Sequence, residues 1–145
     1  MLKIFILFEI IFNMKVLFIC RANVGRSQMA EAIFNKLSKE DAAISAGLNP
    51  GKWEGEKISQ AKSVVLSLSE IGCDVSKKVS KRLTKKMTEG TDKIVVLGEK
   101  ENWPDYLKES DNVVFWDIED PAHKDLDSCR MIRDRIKEKV EVLLN

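Results

Sequence analysis

Cys20 and Arg26 stand six positions apart in VLFICRANVGRSQMAEAIF, residues 16 to 34, and Ser27 directly follows the arginine. A thiol acts as a nucleophile only as its thiolate, so it needs a positive neighbourhood. Arg26 offers a planar fork of donors that suits two oxygens of a phosphate-like group, a geometry that lysine lacks. The loop between them, CRANVGRS, leads straight into a helical pattern. The first turn of that helix supplies unpaired N–H groups and the positive end of the helix dipole. An anion would be held there, with the cysteine at the rim kept as thiolate. The spacing therefore sets a nucleophile below a tetrahedral oxyanion and an arginine beside it. Burial alone would also accept a cysteine at a strand end. The coincidence of strand, loop length, Arg-Ser and helix start is what points to catalysis.

Such a loop needs a rigid support. KVLFI at 15–19 is a continuous apolar run, and helical periodicity follows from Ser27 to about Leu37 through Met29, Ala30 and Ile33. AAISA at 42–46, closed by Gly47, reads as a second short strand. Ile58, Ala61, Val65, Leu68 and Ile71 mark one face of a helix that stops at Gly72. DKIVVLG at 92–98 and NVVFWDI at 112–118 are the third and fourth strands. Leu126, Cys129, Ile132 or Arg133, Ile136, Val140 and Leu143 trace a last amphipathic helix. Fully apolar strands alternating with helices predict an α/β fold, a parallel sheet with helices on both faces, as one domain over residues 14–145. In such a sheet function lies beyond the carboxyl ends of the strands, where Cys20 falls.

Composition excludes several classes. A chain of 145 residues, 44% hydrophobic and 32% charged, is large enough for one real core. Lys and Arg number 24 against 23 Asp and Glu, so nothing in the net charge attracts nucleic acid or an acidic membrane. Three cysteines, at 20, 73 and 129, make no disulfide framework, and with a single histidine they give no zinc spacing. A reducing, cytoplasmic setting is expected. No metal or cofactor is called for, because arginine and backbone dipoles already supply positive potential.

Two segments need their own reading. Residues 1–13, MLKIFILFEIIFN, are too short to span a bilayer, carry Glu9 and lack a small-residue cleavage site. Met14 opens MKVLFIC, a natural strand start, so the preceding stretch is read as an apolar N-terminal extension or a start-site artefact, with a membrane anchor as a third reading. KKVSKRLTKK, at 77–86, sets Lys77, Lys81, Arg82, Lys85 and Lys86 against Val79, Leu83 and Met87. That pattern predicts an amphipathic helix with a solvated basic face.

Cys20, Asn23, Arg26 and Ser27, with QMAEA following, resemble the phosphate-binding loop of the low-molecular-weight protein tyrosine phosphatases and the related thioredoxin-coupled arsenate reductases. The likeness runs from Met14 to the C-terminus and includes the SAG of Ser45 to Gly47 and the pair Asp120-Pro121. It implies a three-layer sandwich around a four-stranded parallel sheet. It implies that Cys20 attacks phosphorus and forms a phosphocysteine. Arg26 and the loop N–H groups, from Arg21, Ala22, Asn23, Val24 and Gly25, would bind the equatorial oxygens. Ser27 would donate to the thiolate, and Asn23 would hold the loop's shape. Asp120 would protonate the leaving oxygen and then activate water. Pattern alone leaves Asp117, Glu119 and Asp120 all open as the acid; the Asp-Pro pair selects Asp120.

The resemblance thus implies a cysteine-dependent phosphomonoester hydrolase acting on a phosphorylated protein or a small aryl phosphate, most simply a tyrosine phosphatase. The departures bear on substrate. Gly25 stands where those phosphatases usually carry a second, protective cysteine, and Gly98 ends the third strand where the reductases normally carry a resolving one. Cys73 and Cys129 read as core filler. Val24 matches the branched apolar residue of tyrosine-specific members, and Trp53 is the candidate pocket wall, or else a half-exposed packing tryptophan. Ala122 and His123 replace the aromatics that commonly follow Asp-Pro, while IGCDVSKKVSKRL and FWDIEDPAHKD look nearer the reductase branch. Arsenate reduction and non-catalytic phosphate binding are the alternatives.

Overall fold

The computed structural model describes residues 13–145; the reading of the N-terminal stretch falls, for residues 1–12, outside them. β1, Lys15–Cys20, is central because KVLFIC is apolar on both faces, and Val16 through Cys20 are all buried. It pairs in parallel with β2, Ala42–Gly47, on one side and with β3, Lys93–Leu97, on the other. β4, Val113–Trp116, extends the sheet in parallel from β3, giving the order β2-β1-β3-β4. The register sets Cys20 beside Gly47 at the carboxyl end.

Val16, Phe18, Val95, Leu97 and Trp116 face three helices. α1, Arg26–Leu37, contributes Met29, Ile33 and Phe34; α2, Lys62–Ser69, contributes Val64 and Leu68; α5, Leu126–Leu144, contributes Cys129, Ile132, Ile136 and Val140. The Phe18 and Phe34 rings meet edge to face at 5.8 Å. Leu17, Ile19, Ile94 and Val96 on the opposite face lie under Leu83, Met87, Trp103, Tyr106 and Leu107. Most of these come from two single-turn helices, α3, Lys85–Thr88, and α4, Asp105–Lys108, and the segment leading into each. Each such buried side chain is worth about 1.5–3 kcal/mol, which is why the sheet is the rigid part of the molecule. The expected three-layer α/β architecture is the one observed. Among the described residues no helix is long and apolar enough to cross a membrane.

Three local expectations are corrected. The basic segment 77–86 is not one helix: residues 78–84 are extended, with Val79, Ser80 and Arg82 pairing with Lys57, Glu54 and Gly47, and only Lys85 and Lys86 enter α3. Its backbone is claimed by distant partners, Gly47 N–H donating to Lys81 O at 2.7 Å and Leu83 N–H to Gly47 O at 2.8 Å, and tertiary hydrogen bonds override a four-residue charge rhythm. For the same reason Ile58 does not open α2. Its N–H donates to Lys78 O, so Ile58–Gln60 is a separate 3-10 turn and the helix begins at Lys62. β4 ends at Trp116, releasing Asp117 and Ile118 from the sheet. On the last helix both candidates for the inner stripe are buried, Ile132 by packing and Arg133 by donating to Ser67 O at 2.7 Å and to Glu70 at 2.8 Å.

Candidate active site

β1 delivers Cys20 to the end of the sheet, and the chain turns immediately into α1 at Arg26. The connecting loop is held from beneath by β2. Leu48 and Asn49 N–H groups donate to Cys20 O and Arg21 O, both at 2.8 Å. A Cβ on Gly47 would meet Arg21 O at 2.9 Å and the backbone of Ala22 and Asn23 at 3.0 Å, so only glycine lets the loop lie this close. Asn23 has a φ of +58°, a left-handed conformation that asparagine tolerates. Its Nδ2 donates to Ser27 Oγ at 2.8 Å and to Ser45 Oγ at 2.9 Å, while its Oδ1 accepts from Lys81 N–H and from Gln28 Nε2. No side chain caps the start of α1, which leaves its first N–H groups for an anion.

Cys20 Sγ lies 2.9 Å from Ser27 Oγ. Arg26 is 3% exposed. Its Nη1 donates to Ile118 O at 3.1 Å, and its Nη2 stands 3.5 Å from Glu99 Oε1 and 3.6 Å from Asp120 Oδ2. The guanidinium lies against Gly98, where a Cβ would approach Nη1 to 2.7 Å. Gly98 also has a φ of +136°, so glycine is required there twice over.

One cavity of about 380 Å³ opens over this loop. Cys20, Arg21, Ala22, Val24, Gly25, Arg26, Trp53 and Asp120 all line it, and the first turn of α2 forms the opposite wall. Asn23 and Ser27 are fully buried behind the loop and act from there. Of the three candidate carboxylates only Asp120 reaches the cavity. Glu119 instead pairs with Lys124 at 2.9 Å, and that hydrogen bond holds the lysine's pKa up. Trp53, half-buried, lines the cavity and also packs on the core.

Cys73 and Cys129 are buried and do not line the cavity. Burial is the first cause raising each thiol's pKa. Sequence reasoning did not single out Glu99, which contacts Arg26, or Glu31, which accepts from Ser45 Oγ at 3.0 Å. Glu99 had a signal, since it lies just past the carboxyl end of β3. Glu31 lies within the QMAEA that carries the resemblance, but nothing in its helical pattern gave it a role.

The family model described as low molecular weight phosphotyrosine protein phosphatase matches residues 15–145. A glutaredoxin arsenate reductase from Synechocystis sp. is 30% identical over 132 residues, 90% of this chain and 95% of the relative. The solved low molecular weight protein tyrosine phosphatase of T. tengcongensis is 28% identical with a TM-score of 0.77, over 91% of this chain and 98% of that one. The arsenate reductase of Archaeoglobus fulgidus is 33% identical with a TM-score of 0.69, over 88% and 97%. Two activities are thus named among the relatives, on one fold, and the chain belongs to the low molecular weight phosphotyrosine protein phosphatase family.

Proposed function

We propose that this chain is a cytoplasmic phosphomonoester hydrolase that takes aryl phosphates, phosphotyrosine in a protein among them, through a phosphocysteine intermediate. The observation that carries the reading is the convergence of the Cys20 thiol, the Arg26 guanidinium and the Asp120 carboxyl on a single cavity. Cys20 Sγ attacks phosphorus in line while the bond to the leaving oxygen breaks, and Asp120 gives that oxygen its proton. Water then attacks the phosphocysteine, its proton passes to the Asp120 carboxylate, and the S–P bond breaks to free phosphate. Arg26 and the loop N–H groups hold the equatorial oxygens through both steps. Val24 and Trp53 supply apolar surface for an aromatic leaving group. Three free thiols fit a reducing compartment.

Arsenate reduction is the second reading, supported by the names of the relatives. It needs a further thiolate to attack the arsenic-bound sulfur of Cys20, forming a disulfide while the S–As bond breaks and its electron pair leaves with arsenic as arsenite. With Cys73 and Cys129 buried away from the cavity, that thiol would have to come from another molecule.

The test is hydrolysis of para-nitrophenyl phosphate between about pH 5 and 7. The wild type turns over, Cys20→Ser does not, and Asp120→Asn is slower by about 10²–10⁴-fold. A wild type that leaves the ester intact overturns the reading. Arsenate-dependent consumption of glutathione in its place would establish the second.

A further inference from the structure

Four cationic side chains, Arg21, Arg26, Lys62 and Lys124, line the cavity against the single carboxylate of Asp120. The chain as a whole is close to balanced, with 24 Lys and Arg against 23 Asp and Glu, so this excess is local. Two of the four are already engaged. Arg26 is buried beside Ile118 O, Glu99 and Asp120, next to the thiol where the phosphate must sit, and Lys124 pairs with Glu119 at 2.9 Å. Arg21 and Lys62 form no ion pair among the described residues, and both are exposed. Local structure does not account for Lys62. It opens α2, whose first turn holds no acidic residue and no side-chain cap, and a cation at that end opposes the helix dipole.

We propose that Arg21 and Lys62 are specificity-determining residues that select phosphotyrosine flanked by acidic residues in a peptide or protein. The proposal rests on reading the cavity as a phosphomonoester hydrolase site, and it names the substrate class of that site. The phosphate descends to Cys20, which is 3% exposed, and the cavity is of side-chain size, about 380 Å³. The residues on either side of the phosphotyrosine therefore stay at the rim, where the two unpaired cations are. Exposed ion pairs are individually weak and are screened by salt. Two of them acting together, with repulsion of a basic flank added, are enough to discriminate.

The experiment measures kcat/KM by phosphate release on three phosphotyrosine peptides that carry glutamate, glutamine or lysine at the two positions on either side and are otherwise identical. Para-nitrophenyl phosphate serves as the ester without flanks. For the wild type at low salt, the glutamate peptide should exceed the lysine peptide by about tenfold or more, and the ratio should shrink between about 20 and 200 mM salt. Lys62→Glu and Arg21→Glu should each lower the ratio, and the double variant should invert it. Each ratio is taken within one protein, so a general loss of loop structure, which slows all three peptides alike, cancels. Lys62 lies outside the phosphate loop and carries the test if Arg21→Glu does not fold.

A wild-type ratio near one, a ratio that ignores salt, or a preference that survives Lys62→Glu would overturn the proposal. A wild type inactive on para-nitrophenyl phosphate and on all three peptides overturns the hydrolase reading, and the acidic preference with it. Turnover of para-nitrophenyl phosphate with no turnover of the peptides overturns the preference alone.

Discussion

The hydroxyl oxygen of Ser27 lies 2.9 Å from the sulfur of Cys20, and the hydrogen-bond chain behind it decides which of the two donates. Glu31 can only accept, so Ser45 donates to it. Asn23 Nδ2 then gives one hydrogen to Ser45 and the other to Ser27, which frees the Ser27 hydrogen for the sulfur. Lys78 Nζ, 3.1 Å from Glu31 Oε2, balances the charge at the buried end. A donated hydrogen bond favours the thiolate. Ser27→Ala should therefore lower kcat/KM by about ten- to a hundredfold, a charged hydrogen bond being worth roughly 1.5–3 kcal/mol. A kcat/KM equal to the wild type's would mean that Ser27 does not donate.

Gly47 tests how far β2 shapes the loop. The atoms that a Cβ there would strike belong to the backbone of Arg21, Ala22 and Asn23, so no side-chain rotation can relieve the clash. Gly47→Ala should cost about 1–3 kcal/mol of stability and weaken inhibition by phosphate as well. Denaturant midpoints read the first effect and steady-state inhibition the second. Intact phosphate affinity in a destabilised protein would show that the loop does not depend on the strand beneath it.

Cys73 and Cys129 should be silent in hydrolysis. The variant with alanine at both positions should keep the wild-type rate on para-nitrophenyl phosphate and lose about 1 kcal/mol per site for the space left in the core. Treatment with peroxide should oxidise Cys20 without forming a disulfide, since neither of the other thiols reaches the cavity. Intact-mass measurement checks this: a loss of two hydrogens on oxidation would reveal a thiol partner within the chain.

Glu70 joins α2 to α5 and should leave a signature in acid. The hydrogen bond from Arg130, aided by Arg133, holds its carboxyl down to about 2 from 4.5. The folded chain therefore releases this proton more readily than the unfolded one. The resulting stabilisation is full above about pH 4.5 and disappears as pH falls toward 2. Glu70→Gln should lower the thermal midpoint at neutral pH, with the gap to wild type closing across that acid window. Added salt should shrink the difference at neutral pH, because the ion pairs are partly exposed. A gap that persists at pH 2 would assign the loss to packing.

Cys20, Arg26 and Ser27 were legible in the sequence because one unbroken strand, loop and helix carries them. The sheet was legible for a related reason. Strands buried on both faces must be apolar throughout, and KVLFIC and KIVVL announce it. Tertiary structure decided what depends on partners distant in the chain. The basic run at 77–86 has a helical rhythm, yet its peptide groups bond to Gly47 and Glu56, and no local pattern encodes that. Asp117, Glu119 and Asp120 are equivalent as acids on paper. The fold brings only Asp120 of the three to the cavity, beside Arg26, because a side chain's reach is set by the contacts that anchor its backbone.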